Sequence, residues 1–253
     1  MVMPRLAWRV FLRNLSVYRK TWLVSMSFNF IEPLLYLSAL GLGLGAYVQP
    51  IEGLPYLHYL APGLAASSAM FATAYECTYG TFVRMEYQKT YFAIISTPAN
   101  IEDVIAGDMI FGAFKAVLYG SVILLVAGAL GLVSSAAAFF LPPVLAVAGL
   151  LFAAFAMTWV GLVPNIDSFN YFFSLIMTPL FLFSGVFFPL DGMPPAIQKA
   201  AWFSPLYHLV NTTRALTTGN TGANLLPDLI WLTAAAAVML PVPVHLMRRL
   251  IIK

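Results

Sequence analysis

Six stretches of this chain are long and apolar enough to cross a bilayer: 22–46, 58–80, 105–131, 139–162, 170–189 and 226–246. A helix rises 1.5 Å per residue, so about 20 apolar residues are needed to cross ~30 Å of hydrocarbon. No water is present there to satisfy backbone N–H and C=O groups, so each stretch has to be helical. Charged residues make up only 9% of the chain and hydrophobic ones 61%, whereas soluble domains carry about 25% charged residues. The expected fold class is therefore all-α: a polytopic membrane protein with six transmembrane helices in one domain, residues 1–253. A seventh apolar stretch, 196–217, holds Lys199, Pro205, His208 and Arg214. It is too short and too polar to cross, and reads as a re-entrant or interfacial hairpin between spans five and six. The first apolar run is too long for a signal-peptide core and reads as an uncleaved anchor.

Lys and Arg set the orientation. Arg5, Arg9, Arg13, Arg19 and Lys20 precede the first span, Arg84 and Lys89 separate spans two and three, and Arg248, Arg249 and Lys253 follow the last. The loops 47–57 and 132–138 carry no Lys or Arg, and 190–225 carries only Lys199 and Arg214. Both termini are thus expected in the cytoplasm. The same basic residues give the first segment a pattern. Arg5, Arg9, Arg13, Ser16 and Lys20 share one helical face, with Leu6, Val10, Phe11, Leu15, Val17 and Tyr18 on the rest and Trp8 near the edge. This predicts an interfacial helix over 4–20 on the inner leaflet; a plain anchor gives the same pattern.

Residues 84–103, RMEYQKTYFAIISTPANIED, form a polar island on the cytoplasmic side. Pro98 pushes Thr97 out of helical geometry, and Asn100 can cap a new helix with Glu102 and Asp103 in its first turn. A short cytoplasmic helix over 84–95 is expected to mix charge with Tyr87, Tyr91 and Phe92. Such a surface suits docking on a soluble partner, and an ordinary solvated loop reads the same.

Catalytic signals are sparse. The chain has no G-x-x-x-x-G-K-[ST] and no Gly-Lys pair, so it holds no P-loop. It has no H-E-x-x-H, its one cysteine is Cys77, and His58, His208 and His245 lie in separate segments. Neither a metal cluster nor an intramembrane hydrolase is indicated. Basic residues sit at the ends of apolar segments, which argues against nucleic acid as a partner. Glu32 and Lys115 fall within spans, counted at matching depth from the cytoplasmic side. They are expected to pair, since charges in lipid are costly; Glu76 is a rival partner for Lys115. A structural pair and a substrate or proton site are both open.

Residues 178–216, TPLFLFSGVFFPLDGMPPAIQKAAWFSPLYHLVNTTRAL, resemble the signature of ABC-2 type transporter permeases. Ser184, Gly185, Phe188, Pro189, Pro194, Pro205 and Arg214 are the matching residues. EYQKTYFAIISTP, from Glu86 to Pro98, resembles the family's cytoplasmic E-x-x-x-T-x-x-x-[IL]-x-S-T-P stretch, with Tyr87, Gln88, Lys89 and Thr90 where the family usually has Glu-Gly-Thr. Within the family the chain is most similar to nodulation-type (NodJ-like) permeases of lipo-oligosaccharide export.

The resemblance implies a permease subunit of an exporter in the bacterial cytoplasmic (inner) membrane. Such a permease works as two copies with two copies of a separate ABC ATPase. ATP and Mg would bind that ATPase, and no cofactor would bind this chain. The island would be the coupling helix, with Arg84, Glu86, Tyr87, Lys89, Thr90 and Tyr91 at the ATPase. Spans two and five would line the path of an amphipathic substrate, such as a lipo-oligosaccharide or lipid-linked glycan, a hydrophobic drug or another lipid. The loop and hairpin 190–217 would close its outer end. The rival readings are a secondary transporter or channel using Glu32 and Lys115, and a membrane scaffold.

Overall fold

The computed structural model describes residues 2–220 and 224–251, together with the side chains of most of them; Lys253 and the side chain of Arg249 lie outside the described residues. Helix α1 (Pro4–Tyr36) continues through π- and 3-10-helical turns to Ala46. After a short loop come α2 (Tyr56–Tyr75), extended by π turns to Tyr87, then α3 (Thr90–Ile95) and α4 (Ile101–Ala129). Helices α5 (Leu141–Leu162), α6 (Phe169–Phe172) and α7 (Thr178–Leu182) follow, the last two joined by a π turn. Next are α8 (Pro195–Trp202), α9 (Pro205–Thr218), α10 (Leu225–Met239) and α11 (Pro241–Ile251). No strand occurs among the described residues.

Four helical segments are long and apolar enough to cross a membrane: Ser25–Ala46, Ile101–Ala129, Ala136–Leu162 and Leu225–Arg248. The stretches expected at 58–80 and 170–189 differ, each for its own reason. Helix α2 is the hub of the bundle and is buried almost end to end. Surrounded by protein, it can carry Ser67, Ser68, Thr73 and Glu76 and so loses apolarity. The segment Ile166–Leu182 is apolar but short. It stops at Phe183, and the chain then runs non-helically through Gly185, whose φ of +75° favours a residue without Cβ.

The hub is tight because small residues face it, as is common in membrane bundles. A Cβ at Gly112 of α4 would stand 2.5 Å from the Cys77 sulfur; behind it, one at Gly149 of α5 would stand 2.8 Å from the Ala113 Cα of α4. The amino-terminal segment differs from expectation. It is not a separate helix over 4–20: α1 runs unbroken past Lys20 and Trp22. Its buried stripe, Ala7, Val10, Phe11, Asn14 and Tyr18, packs on α4. A Cβ at Gly107 of α4 would lie 2.6 Å from the Val10 Cβ.

Helix α4 starts where the sequence indicates. The Asp103 carboxylate accepts from the Asn100 backbone N–H at 3.0 Å, closing a capping box. It also accepts from the Met3 N–H, and Glu102 pairs with Arg248 at 3.0 Å. Met3 and Arg248 are thereby fastened to one helix start.

Candidate functional site

Two polar sites interrupt this apolar bundle. The first sits where α1, the end of α2, α3 and α4 meet. Arg84 donates to both Asp108 and Glu76, with Nη2 3.0 Å from Asp108 Oδ2. Lys115 pairs with the other oxygen of Glu76. Its ammonium also stands 5.3 Å from the Tyr18 ring centroid and 5.6 Å from that of Phe111, within cation–π range. Asp108 further accepts from Tyr91 Oη at 2.7 Å and from Asn14 Nδ2 at 2.5 Å. Two cations and two carboxylates give a cluster of zero net charge. That neutrality is what makes it tolerable inside a membrane bundle, where isolated charges are expensive.

The cluster corrects several sequence expectations. Lys115 does not pair with Glu32: its partner is Glu76. The expected equal depth does not hold: the α1 residue beside Lys115 is Tyr18, fourteen positions before Glu32, and α2 brings Glu76 to Lys115. Glu32 stands on the exposed side of α1, bordering a small notch with Ser67, Ser68 and Phe71. The island 84–95 is not one helix. The α2 extension ends at Tyr87, Lys89 takes a left-handed conformation with φ 51°, and α3 starts at Thr90.

That break sorts the expected docking residues into two sets. Arg84 and Tyr91 point inward to Asp108, and Arg13 of α1 donates to Thr90 Oγ1 at 3.3 Å. Glu86, Tyr87 and Lys89 stay outside, Glu86 and Lys89 pairing at 3.0 Å, with Phe92 beside them. Burial, then the charge of Asp108, push the Tyr91 phenol well above its ordinary pKa, so it remains a proton donor. The Arg84 guanidinium would be lowered by burial, but Asp108 and Glu76 outweigh that and raise it.

The second site lies at the opposite end of α2. The Arg214 guanidinium of α9 lies 3.7 Å from the Tyr59 ring centroid. Its Nη2 donates to the carbonyls of Gly185 at 2.8 Å and Tyr59 at 3.3 Å, while Tyr59 Oη donates to the Gly185 carbonyl at 3.1 Å. Ser184 and Ser204 share a hydrogen bond of 2.6 Å, and Pro205 opens α9 behind its cap, Ser204. Pro194 precedes α8 and Pro189 lies in the non-helical run after α7. The resembling motif residues Ser184, Gly185, Pro205 and Arg214 thus form one latch, joining the end of the fifth apolar segment to the α8–α9 hairpin and to α2. His208 holds this hairpin to α10. Its Nδ1 shares a hydrogen bond of 2.6 Å with Asp228, and its Nε2 one of 2.7 Å with the Trp202 carbonyl.

Asp108 and Asp228 escape the sequence reading, although each is a carboxylate inside an apolar run. The signal was there. Asp108 precedes Lys115 by seven residues, two helical turns, which puts both on one face of α4. Among the described residues, no group of three or more His, Cys, Asp or Glu side chains is placed to hold a metal ion.

Long apolar helices, a small-residue core and a neutralised buried charge cluster define a polytopic membrane protein. The chain matches the family model of the ABC-2 type transporter over residues 5–217 and belongs to that family. It is 38% identical to nodulation protein J of Rhizobium leguminosarum bv. trifolii over 213 residues, covering 84% of this chain and 80% of that one. To nodulation protein J of Rhizobium meliloti (strain 1021) it is 37% identical over 213 residues, with the same coverage of 84% and 80%. The inner membrane transport permease YadH of Escherichia coli (strain K12) is 24% identical over 220 residues, 81% of this chain and 80% of that one.

Proposed function

We propose that this chain is the membrane-spanning subunit of an ATP-driven exporter, energised by a separate ABC ATPase that docks on the cytoplasmic island. Two copies of the chain and two of the ATPase make the working unit, and the cargo passes outward between the copies. The four long apolar helices, together with α2 and Ile166–Leu182, serve as six spans with both termini in the cytoplasm. The α8–α9 hairpin dips into the outer leaflet as a re-entrant element. The cargo is an amphipath of the lipo-oligosaccharide or lipid-linked glycan class, a reading supported by the likeness to nodulation proteins. Placement in the bacterial inner membrane draws support from the likeness to an inner membrane transport permease.

The observation that carries this reading is the two-sided island. Glu86, Tyr87, Lys89 and Phe92 face outward from a segment whose inner side is bonded through Arg84 and Tyr91 to Asp108 of α4. An element exposed on one side and bonded to a span on the other transmits displacement, because a buried charged hydrogen-bond network resists deformation. A secondary transporter or channel using Glu32 and Lys115 would work from two separate sites, since Lys115 pairs with Glu76.

The test is capture. The tagged chain, extracted from its own membranes in mild detergent, is expected to bring down a protein with Walker motifs. Glu86→Arg adds repulsion where a carboxylate meets the partner and is expected to reduce that capture while leaving the chain folded in the membrane. If the unaltered chain captures no ATPase and transports cargo without ATP, the exporter reading is wrong.

A further inference from the structure

Beside the Arg214 latch lies a cavity of about 420 Å³. Glu52 enters it from the loop before α2, Asp191 from the chain after α7, Tyr207 and Asn211 from α9, and Asp228 from α10. Its size falls within the ~300–1,000 Å³ of small-ligand sites. Its wall is unusual for a membrane bundle. The cavity of about 470 Å³ beside α5 and α10 is walled by side chains such as Phe155, Ile176 and Trp231, as lipid-facing grooves are. The cavity at the latch carries instead three carboxylates, three amides, a guanidinium and two phenols.

Charge and hydrogen bonding decide what such a wall accepts. Asp228 is engaged by His208, and the hydrogen bonds that Arg214 makes among the described residues go from Nη2 to two backbone carbonyls. Glu52 and Asp191 are exposed and keep the wall acidic, which disfavours an anionic ligand such as a phosphate. Carboxylates only accept, whereas the Asn211 amide and the phenols both donate and accept. A ligand complementary to that set must offer many donors together with some acceptors. Adjacent hydroxyl groups do so, and the half-buried Tyr207 ring suits the C–H side of a pyranose ring, the Tyr59 face being covered by Arg214.

We infer that this cavity binds a neutral or amine-bearing sugar unit, the head group of the amphipathic cargo, at the end of the bundle away from the Asp108 cluster. The inference rests on the exporter reading above and adds to it a place for the polar half of the cargo. Position supports it. The C-terminal end of α9 is fastened to the loop between α4 and α5, the Thr217 carbonyl accepting from the N–H groups of Ser134 and Ser135 at 2.9 and 3.1 Å. The α9 part of the wall, Tyr207, Asn211 and Arg214, is thereby held in place, while Glu52 and Asp191 reach it from non-helical chain.

The test uses the full chain in lipid nanodiscs and saturation-transfer NMR with three soluble probes: a glucose oligomer, an amino-sugar oligomer and a uronic-acid oligomer. The first two are expected to receive saturation, and the acidic oligomer to bind about tenfold more weakly. Asn211→Leu and, in the exposed chain after α7, Asp191→Arg are each expected to abolish transfer. Equal binding of the acidic oligomer, or unchanged transfer in both variants, overturns the inference. An acylated glucose oligomer separates the sources. If it fails to compete with the soluble one, the cavity takes free sugar and not cargo, and the assignment is wrong. ATPase capture without any oligomer binding removes the cavity assignment alone. Oligomer binding without capture leaves the site standing and removes the exporter reading.

Discussion

The Tyr91 hydroxyl lies 2.7 Å from Asp108 Oδ2, and this contact fastens the six-residue helix α3 to the second turn of α4. Tyr91→Phe removes the donor and leaves the apolar ring in place. A buried carboxylate that loses a donor costs about 1–3 kcal/mol. The variant is expected to unfold at lower temperature in detergent and, in the assembled exporter, to hydrolyse ATP with less cargo moved per ATP. Unaltered melting and unaltered coupling together would mean that the contact has no mechanical role.

The partner of Lys115 can be settled by double-mutant cycles. Glu76→Gln and Lys115→Met are expected to couple, by an interaction on the order of 0.5–3 kcal/mol for groups in contact. Glu32→Gln and Lys115→Met are expected to be additive. Each single change at the buried pair should cost more than the paired replacement, because a charge is stranded. Coupling to Glu32 of the same size as to Glu76 would contradict the structure.

The seam between α1 and α4 depends on Gly107. A methyl group there would meet the Val10 Cβ at 2.6 Å and the Ala7 carbonyl oxygen at 2.7 Å. Backbone and β-branched atoms yield little, so Gly107→Ala is expected to destabilise by about 1–3 kcal/mol. Gly128 of the same helix has nothing within 4 Å of such a methyl, and Gly128→Ala should be neutral or stabilising by up to ~1 kcal/mol. Thermal melts of the two variants, side by side in one detergent, check the contrast.

Arg214→Lys keeps the charge and loses the planar fork and its stacking on Tyr59. The expected loss is about 2 kcal/mol, from hydrogen bonds made by a charged group. Protease cutting between residues 186 and 200 should quicken as the latch loosens. If the variant melts like the parent and only the choice of cargo changes, Arg214 does not hold the hairpin.

On a Cys77→Ser background, Ser96→Cys is expected to react with an impermeant maleimide only after the membrane is opened. Pro50→Cys and Gly192→Cys are expected to react in sealed cells. All three positions are exposed. Labelling of Ser96→Cys from outside would reverse the assigned orientation.

Apolar runs announce the helices, and the Asn100 to Asp103 pattern announces where α4 begins, because both rest on neighbours in sequence. The charge pairing was not legible in the same way. Counting from the start of each apolar run set Glu32 level with Lys115, but α1 begins far ahead of its apolar run and packs on α4 from Ala7 onward, so Tyr18 is the α1 residue at Lys115 and Glu76 reaches it from α2. The island was placed correctly as a polar interruption, yet its break fell at Lys89, a residue with no Gly-like freedom to advertise a positive φ. The continuity of α1 was also hidden, since basic residues at 5–20 mark a membrane boundary by composition while the backbone runs straight through it.

Tyr59 and Glu76 stand on the same buried helix, seventeen residues apart, which corresponds to ~25 Å of rise. The ionic knot at one end and the arginine latch at the other therefore share a single rod. Pro62 removes one helix hydrogen bond near the latch end, and the buried helix runs on from there to the knot. Whatever strain the knot receives is delivered to the latch without passing through loops, and the traffic runs both ways. Binding equilibria linked in this manner are reciprocal, so a molecule wedged at the far end should be sensed at the near one as a changed grip on whatever is docked there.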